Sequence, residues 1–350
     1  MLTTQLIHKD TQSFAVFSPD GVLLVAGGGD SVAHVFDVAS GREIATLEAP
    51  RRRVEHAAFS PDGRRIAIAS QDGQILVWDV AARRQVAQLD SHFQFLSEVQ
   101  FSPDGDLLEA GSPHGEARLW DAASGTERAV LKTSANLPHA VFSPDGHLVL
   151  TATNDDAAHL WKTDGTQLRI LAGHENRIST ASFSPDGRLV ATASFDATAR
   201  IWSIKDGNIV ATLKGHGDAL TKVAFSKNGQ LLLTASRDGT ARIWSVSEGT
   251  EKVVLRGHLG GVNSAQFSPD GLYVVTASSQ DRTVRLWATD SGREIAVLAS
   301  PADKASRSVL TRAAFNSDGT RIAIVSGAEG IRIVRVFQTP QDLIDRKSVV

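Results

Sequence analysis

The pentapeptide FSPDG begins at Phe17, Phe59, Phe101, Phe142, Phe183 and Phe267, and two near-copies, FSKNG at Phe225 and FNSDG at Phe315, complete a series of eight. Successive Phe-to-Phe steps are 42, 42, 41, 41, 42, 42 and 48 residues. A period near forty is the mark of one supersecondary unit that cannot bury its apolar face alone and must stack on copies of itself, as in propellers and solenoids. Length alone, 350 residues, would suggest two domains at roughly 150 residues each. The period overrides that expectation and predicts one domain grown by repetition.

Residues 209–246 show what one unit contains. The β-rich runs IVATL, LTKVAF, LLLTAS and TARIWSV are separated by glycine-containing turns, the spacing of an all-β fold with four strands per repeat. In chain order these are strands d, a, b and c. Ser-Pro-Asp-Gly then suits a tight a–b hairpin: Pro presets φ, Asp caps the turn through its side chain, and Gly takes the left-handed position. The Phe before it ends strand a as a core anchor. Nineteen residues after that Phe comes a second aromatic in the first six repeats, Phe36, Trp78, Trp120, Trp161, Trp202 and Trp244. In the seventh it is Trp287, one residue later, and Phe337, three residues late, is the expected eighth. All six tryptophans serve this one role, five in exact register and Trp287 one residue later, so they are read as core residues of strand c, each burying roughly 150–250 Å².

Three repeats also carry a set that resembles catalytic machinery. Repeat five has His174, Ser194 and Asp196 with Trp202, repeat six has His216, Ser236 and Asp238 with Trp244, and repeat seven has His258, Asp281, Trp287 and either Ser278 or Ser279. A hydrolase needs one Ser-His-Asp triad, not three in register. The sets are therefore read as buried hydrogen-bonded chains running from Trp N–H to Ser to His to Asp, which tie the loop before strand a to the b–c turn. The other repeats hold partial sets, such as Ser70, Asp72 and Trp78 with Pro50, or His92, Ser112 and Trp120 with His114.

Gly-His before strand a, an Asp in the b–c turn and the pairs Trp78-Asp79 and Trp120-Asp121 are where the chain resembles the WD-repeat family. The resemblance spans residues 1–338 and implies an all-β, eight-bladed β-propeller of four-stranded antiparallel blades. It further implies a non-catalytic platform for protein partners. Leu2 to Ile7 precede Phe17 at the distance where a strand d belongs, yet complete no earlier blade, and blade eight runs out of strand after Phe337. The first strand is therefore expected to close the ring on the last blade.

The a–b turns are nearly invariant between repeats, whereas the d–a loops and b–c turns on the other face differ, and only differing positions can serve a ligand that lacks the ring's symmetry. Carried onto this chain, the family's partner contacts fall at Arg53, Glu55, Gln71, Phe95, Arg177, Phe195, Arg237, Asn263 and Gln280. Aromatic residues and Arg are enriched in interface hot spots, so the expected partner is a protein or peptide with an acidic segment and an apolar anchor. The longer loop from Ala299 to Ser308 opens on the same face. Residues 339–350 read as a tail with a short helix or no fixed structure. That ending resembles the tail after propellers in large bacterial signalling proteins, which makes a sensor module of such a chain the alternative reading. A propeller hydrolase or lactonase is the enzymatic alternative.

Composition narrows the field. A net charge of −3 and no basic run longer than Arg51-Arg52-Arg53 argue against nucleic acid. With no cysteine, disulfides, thiolate metal sites and cysteine catalysis are excluded. No signal peptide or long apolar helix is visible, so a monomeric cytosolic protein without metal or cofactor is expected.

Overall fold

The computed structural model describes residues 3–8, 12–28, 31–49, 53–93, 96, 98–112, 115–133, 136, 139–299, 310–326 and 330–336. Within them, thirty-two strands form eight four-stranded antiparallel sheets. Each sheet runs a-b-c-d, and blade five shows the pattern: strand a is Ile178–Phe183, b is Leu189–Ser194, c is Thr198–Ser203 and d is Ile209–Lys214. Strands a of neighbouring blades pack against one another, so they wall the central axis and strands d form the rim.

The repeated pentapeptide is the a–b hairpin. Gly21 N–H donates to Ser18 O at 2.8 Å, and Gly21 has φ +72°, a conformation in which a Cβ is strained. Ser18 Oγ donates to Asp20 at 2.5 Å and accepts from Leu23 N–H at 2.9 Å. The motif is thus a self-contained polar clip, and it leaves the Phe free to pack.

That packing occurs between blades. Ala57, Phe59 and Ile66 of blade two meet Phe14, Val35 and Leu47 of blade one, while Trp202 of blade five meets Leu150, Leu160 and Leu171 of blade four. The core is therefore a ring of wedges and cannot exist in one repeat. In blades one to seven the strand-c aromatic fills the wedge at a fixed register: Leu24 is opposite Phe36, Val190 opposite Trp202, and Val274 opposite Trp287. The extra residue of blade seven is absorbed in its b–c turn.

Blade eight departs from the expectation. Its register places Val334 opposite Ile322, so the aromatic position holds a valine, nineteen residues after Phe315, and Phe337 lies outside the described residues. A slipped Phe would have to leave the inward face, because side chains alternate along a strand. Strand d of the same blade is Thr3–His8, antiparallel to Gly330–Arg335 with Thr3 opposite Arg335 and Gln5 opposite Ile333. The first strand closes the ring, as its position ahead of Phe17 requires.

Candidate functional site

In blades five, six and seven a polar relay runs under the variable face, and its hydroxyl differs from the one expected. Trp202 Nε1–H donates to Thr192 Oγ1 at 2.9 Å, Thr192 Oγ1 lies 2.7 Å from His174 Nε2, and His174 Nδ1 lies 2.7 Å from Asp196 Oδ2. Blades six and seven repeat it through Thr234 and Thr276, with His216–Asp238 and His258–Asp281 contacts of 2.8 Å. The serines stand two residues further along strand b and serve the turn. Ser194 Oγ donates to Asn176 O at 2.7 Å and accepts from Asp196 N–H at 3.0 Å, and Ser236 does the same with Asp218 and Asp238. In blade seven Ser278 Oγ accepts from Asp281 N–H, while Ser279 bonds Asn263.

The direction of each proton follows from the ends of the chain. An ionised carboxylate only accepts, so His Nδ1 carries the hydrogen, Nε2 accepts from the Thr hydroxyl, and that hydroxyl accepts from the indole. Burial by itself raises Asp196, but the Thr198 hydroxyl, His174 and the Glu175 N–H outweigh it and hold the carboxyl at about 2. Asp238 is held at about 2 against the same burial, by Thr240, Gly217 N–H and His216. Burial pushes His174, His216 and His258 below the ordinary imidazole value, against the pull of their Asp partners. Each His sits in the loop after one blade's strand d and bonds into the next blade, so the relay rivets the crossing. The glycine before it permits the approach: a Cβ on Gly173 would stand 2.5 Å from Arg200 Nη1.

These shifts fix the sign of the pH response. Both the histidines and the aspartates have folded values below their unfolded ones, so the unfolded chain binds more protons and acid destabilises. The histidine contribution is fully present above pH 6.5 and declines below it. That of Asp196 and Asp238 is present above about 3.8 and is lost as pH falls through about 2, at roughly 2 kcal/mol each. Denaturant titrations from pH 8 to 3 should show stability level above 6.5, then falling in two stages; a profile flat down to pH 4 would contradict the neutral buried histidines.

Relays are incomplete elsewhere for a visible reason. Ile68 occupies the Thr position in blade two, and buried Trp78 Nε1 has no partner. In blade three that position is Ala110, and His92 turns outward toward Asp90 at 3.7 Å. Blade four keeps Trp161 Nε1–H to Thr151 Oγ1 at 3.0 Å without a His. Pro50 and His114 lie outside the described residues.

On the face above, three of the expected contact residues converge. The guanidinium carbons of Arg177 and Arg237 lie 3.8 and 4.7 Å from the Phe195 ring centroid, which leaves the ring half-buried and not free-standing as an isolated surface Phe would be. Neither arginine has a carboxylate within ion-pair distance among the described residues. By contrast, Arg118 and Arg285 pair with Glu127 and Glu294 at 2.5 Å, and Arg242 pairs with Glu251. Leu259, in the next d–a loop, is 92% exposed; it was not among the expected contacts because the family positions do not include it. The remaining positions are otherwise engaged. Arg53 pairs with Glu55 at 3.6 Å, Gln71 N–H donates to Arg53 O, Gln280 Oε1 accepts from Gly261 N–H, and Asn263 Oδ1 accepts from Ser279. Phe95 and residues 300–309 of the long loop lie outside the described residues.

Along the axis, strand a is a sheet edge whose outward backbone groups need partners, and the preceding blade supplies them. Glu98 Oε1 accepts from Ala140 N–H at 2.6 Å and Oε2 lies 3.2 Å from His139; Gln100 donates to Ala140 O and Gln266 accepts from Phe315 N–H. Burial raises Glu98, yet His139 and the Ala140 N–H outweigh it and hold it at about 2. Burial and then Arg312 lower His56 to about 4. Beneath them Glu109 is wholly buried, raised first by burial and then by Glu98, with Oε1 unpartnered. Leu150 and Leu233 hold the matching register in blades four and six. Glu109→Leu should therefore stabilise the protein by about 1–3 kcal/mol, the cost of an unsatisfied buried polar group, measured by denaturant unfolding. Destabilisation would show that the carboxyl is better satisfied than its contacts indicate.

The WD40 family profile (WD domain, G-beta repeat) matches residues 2–37, 41–79, 165–203, 207–245 and 249–288, more than half of the chain. The C-terminal WD40 domain of Sif2 superposes with TM-score 0.83 at 20% identity, over 95% of this chain and 98% of that one, a likeness of fold. A probable serine/threonine-protein kinase, PkwA of Thermomonospora curvata, is 51% identical over 45 residues, 13% of this chain and 6% of the kinase. The chain thus spans a small fraction of that relative's length. With the hairpin clip, the strand-c aromatic, the relays and the family profile recurring around one closed ring, the chain belongs to the WD-repeat family.

Proposed function

We propose that this protein is a non-catalytic platform that binds a protein or peptide through the face of its d–a loops and b–c turns, centred on blades five to seven. The observation that carries the reading is the Arg177–Phe195–Arg237 stack, with exposed Leu259 in the next d–a loop. WD40 propellers generally serve as protein-interaction platforms. Stacking on the ring pre-orders both guanidiniums, so their forks lose less freedom on meeting carboxylates. An acidic segment with an aliphatic or aromatic anchor complements them, the anchor against Leu259. The relays do not compete as catalysts, because the Thr hydroxyl facing each His is buried and already accepts the indole N–H, which leaves no position for an electrophile.

A partner recovered by affinity capture should bind Arg237→Ala or Phe195→Ala about 1–2 kcal/mol more weakly, with melting nearly unchanged. Leu272→Ala, on an a–b turn of the opposite face and 58% exposed, should leave binding unaltered. Equal affinity for the parent and an Arg177→Ala/Arg237→Ala double variant would sink the assignment. A second reading, a recognition module of a larger bacterial signalling chain, is favoured by the kinase similarity. A reading frame that joins the propeller to an effector domain would support it.

A further inference from the structure

Three residues before each strand-a Phe, on the innermost strand, one position changes around the ring: in blade one it is Phe14, packed into the core, whereas in blades two to eight it is polar and its two sides are unlike. On the side of blades two to four it is internally satisfied: Glu98 is committed to His139 and Ala140 N–H. On the side of blades five to eight the same position holds Thr180, Lys222, Ser264 and Arg312 in succession, opposite Ala193, Ala235, Ala277 and Val325 of their strands b. The alanines opposite Thr180, Lys222 and Ser264 leave space beside these side chains on the innermost strand. Among the described residues neither Lys222 nor Arg312 has an ion-pair or hydrogen-bond partner. Thr180 is 4% exposed with Oγ1 unpartnered, and Ser264 Oγ has only a 3.5 Å contact to Ala313 O. Four donors on successive inner strands, two of them cationic, thus lack a strong acceptor among the described residues, with Lys222 half-buried and Arg312 exposed.

We propose that this arc is a binding site for a phosphate-class oxyanion, with Lys222 and Arg312 supplying charge and the Thr180 and Ser264 hydroxyls supplying neutral donors. An oxyanion offers several acceptor oxygens at once, which suits a fork, an ammonium and two hydroxyls. It would also relieve the arc's electrostatics: burial and then Arg312 lower Lys222, with the weaker pull of Glu98 opposing them. The site lies inside the channel, about 10 Å below the loop residues of the face at roughly 3.3 Å per strand residue, and does not depend on the Arg177–Phe195–Arg237 stack.

Calorimetric titration of the whole chain in phosphate-free, low-salt buffer tests the site with two probes, inorganic phosphate for a free ion and O-phosphoserine for a phosphorylated group, with serine and chloride as controls. One or both should bind with Kd on the order of 0.1–1 mM. Lys222→Met and Arg312→Gln should each weaken binding at least about tenfold. Lys222→Met should at the same time melt higher than the parent without anion, since it removes a half-buried cation that Arg312 repels, and should no longer gain from phosphate. The tighter probe identifies the source. No binding, binding that both variants retain (an adventitious ion only), or an equal rise in melting temperature with phosphate in parent and Lys222→Met overturns the proposal.

Discussion

Trp202→Ala is expected to cost about 3–5 kcal/mol, the range for truncating a buried aromatic. The indole is 1% exposed and packs on Leu150, Leu160 and Leu171 of the neighbouring blade. Its loss therefore opens a wedge between two sheets, where neither can collapse without disturbing the ring. Trp202→Phe separates packing from hydrogen bonding. It keeps most of the volume but leaves Thr192 without its donor, and one net hydrogen bond contributes about 0.5–1.5 kcal/mol. Denaturant unfolding should rank parent, Phe and Ala in that order, with the larger step between Phe and Ala. Amide exchange supplies a local reading: blades five to seven should be better protected than blade two, where Trp78 Nε1 lacks a partner. A Phe variant as unstable as the Ala variant would mean that the relay, not the wedge, holds blade five.

The contrast between these tryptophans shows where the sequence was legible. A period, a turn pentapeptide and an aromatic at constant offset each report local geometry repeated many times, so the blades and their hairpins could be read directly. The relay's hydroxyl could not be assigned so simply. Thr192 and Ser194 are two residues apart and share one face of strand b, and only the diagonal reach of the indole selects Thr192. The signal was present, since Thr192, Thr234 and Thr276 recur where Ile68 and Ala110 replace them. In blade eight, an aromatic near the expected spot drew attention from Val334, although the count of nineteen points to the valine. The inner ring is harder to read because its residue changes from repeat to repeat, with only histidine recurring, at His56 and His139. Variation at a fixed offset from Phe is itself the signal, and it yields the polar partners of an inner sheet edge. Of the binding face, the residue types indicated arginine and phenylalanine, but only the fold brings Arg237 of one blade onto Phe195 of another.

Deleting residues 1–8 should be more damaging than any single substitution. Thr3–His8 is the entire outer strand of blade eight, laid antiparallel along Gly330–Arg335. Without it, that strand becomes an exposed edge carrying Ile331 and Ile333, now 0% and 4% exposed, which is a template for pairing with another chain. Six strand residues at roughly 0.5–1.5 kcal/mol per net hydrogen bond correspond to about 3–9 kcal/mol. The strand is also a clasp: the chain leaves it directly for Gln12–Phe17, the inner strand of blade one, so it joins the first and last blades across the closure. The truncated protein should melt lower and associate at concentrations where the parent is monodisperse by light scattering. Because the lost interaction is one strand added to an edge, a peptide of residues 1–8 supplied in trans should restore part of the melting temperature, as strand addition does in other peptide complexes. A scrambled peptide should not. A truncated protein that stays monomeric with unchanged melting would show that blade eight is held by its packing on blade one, through Leu24, Phe36 and Ile331, and that the clasp adds nothing.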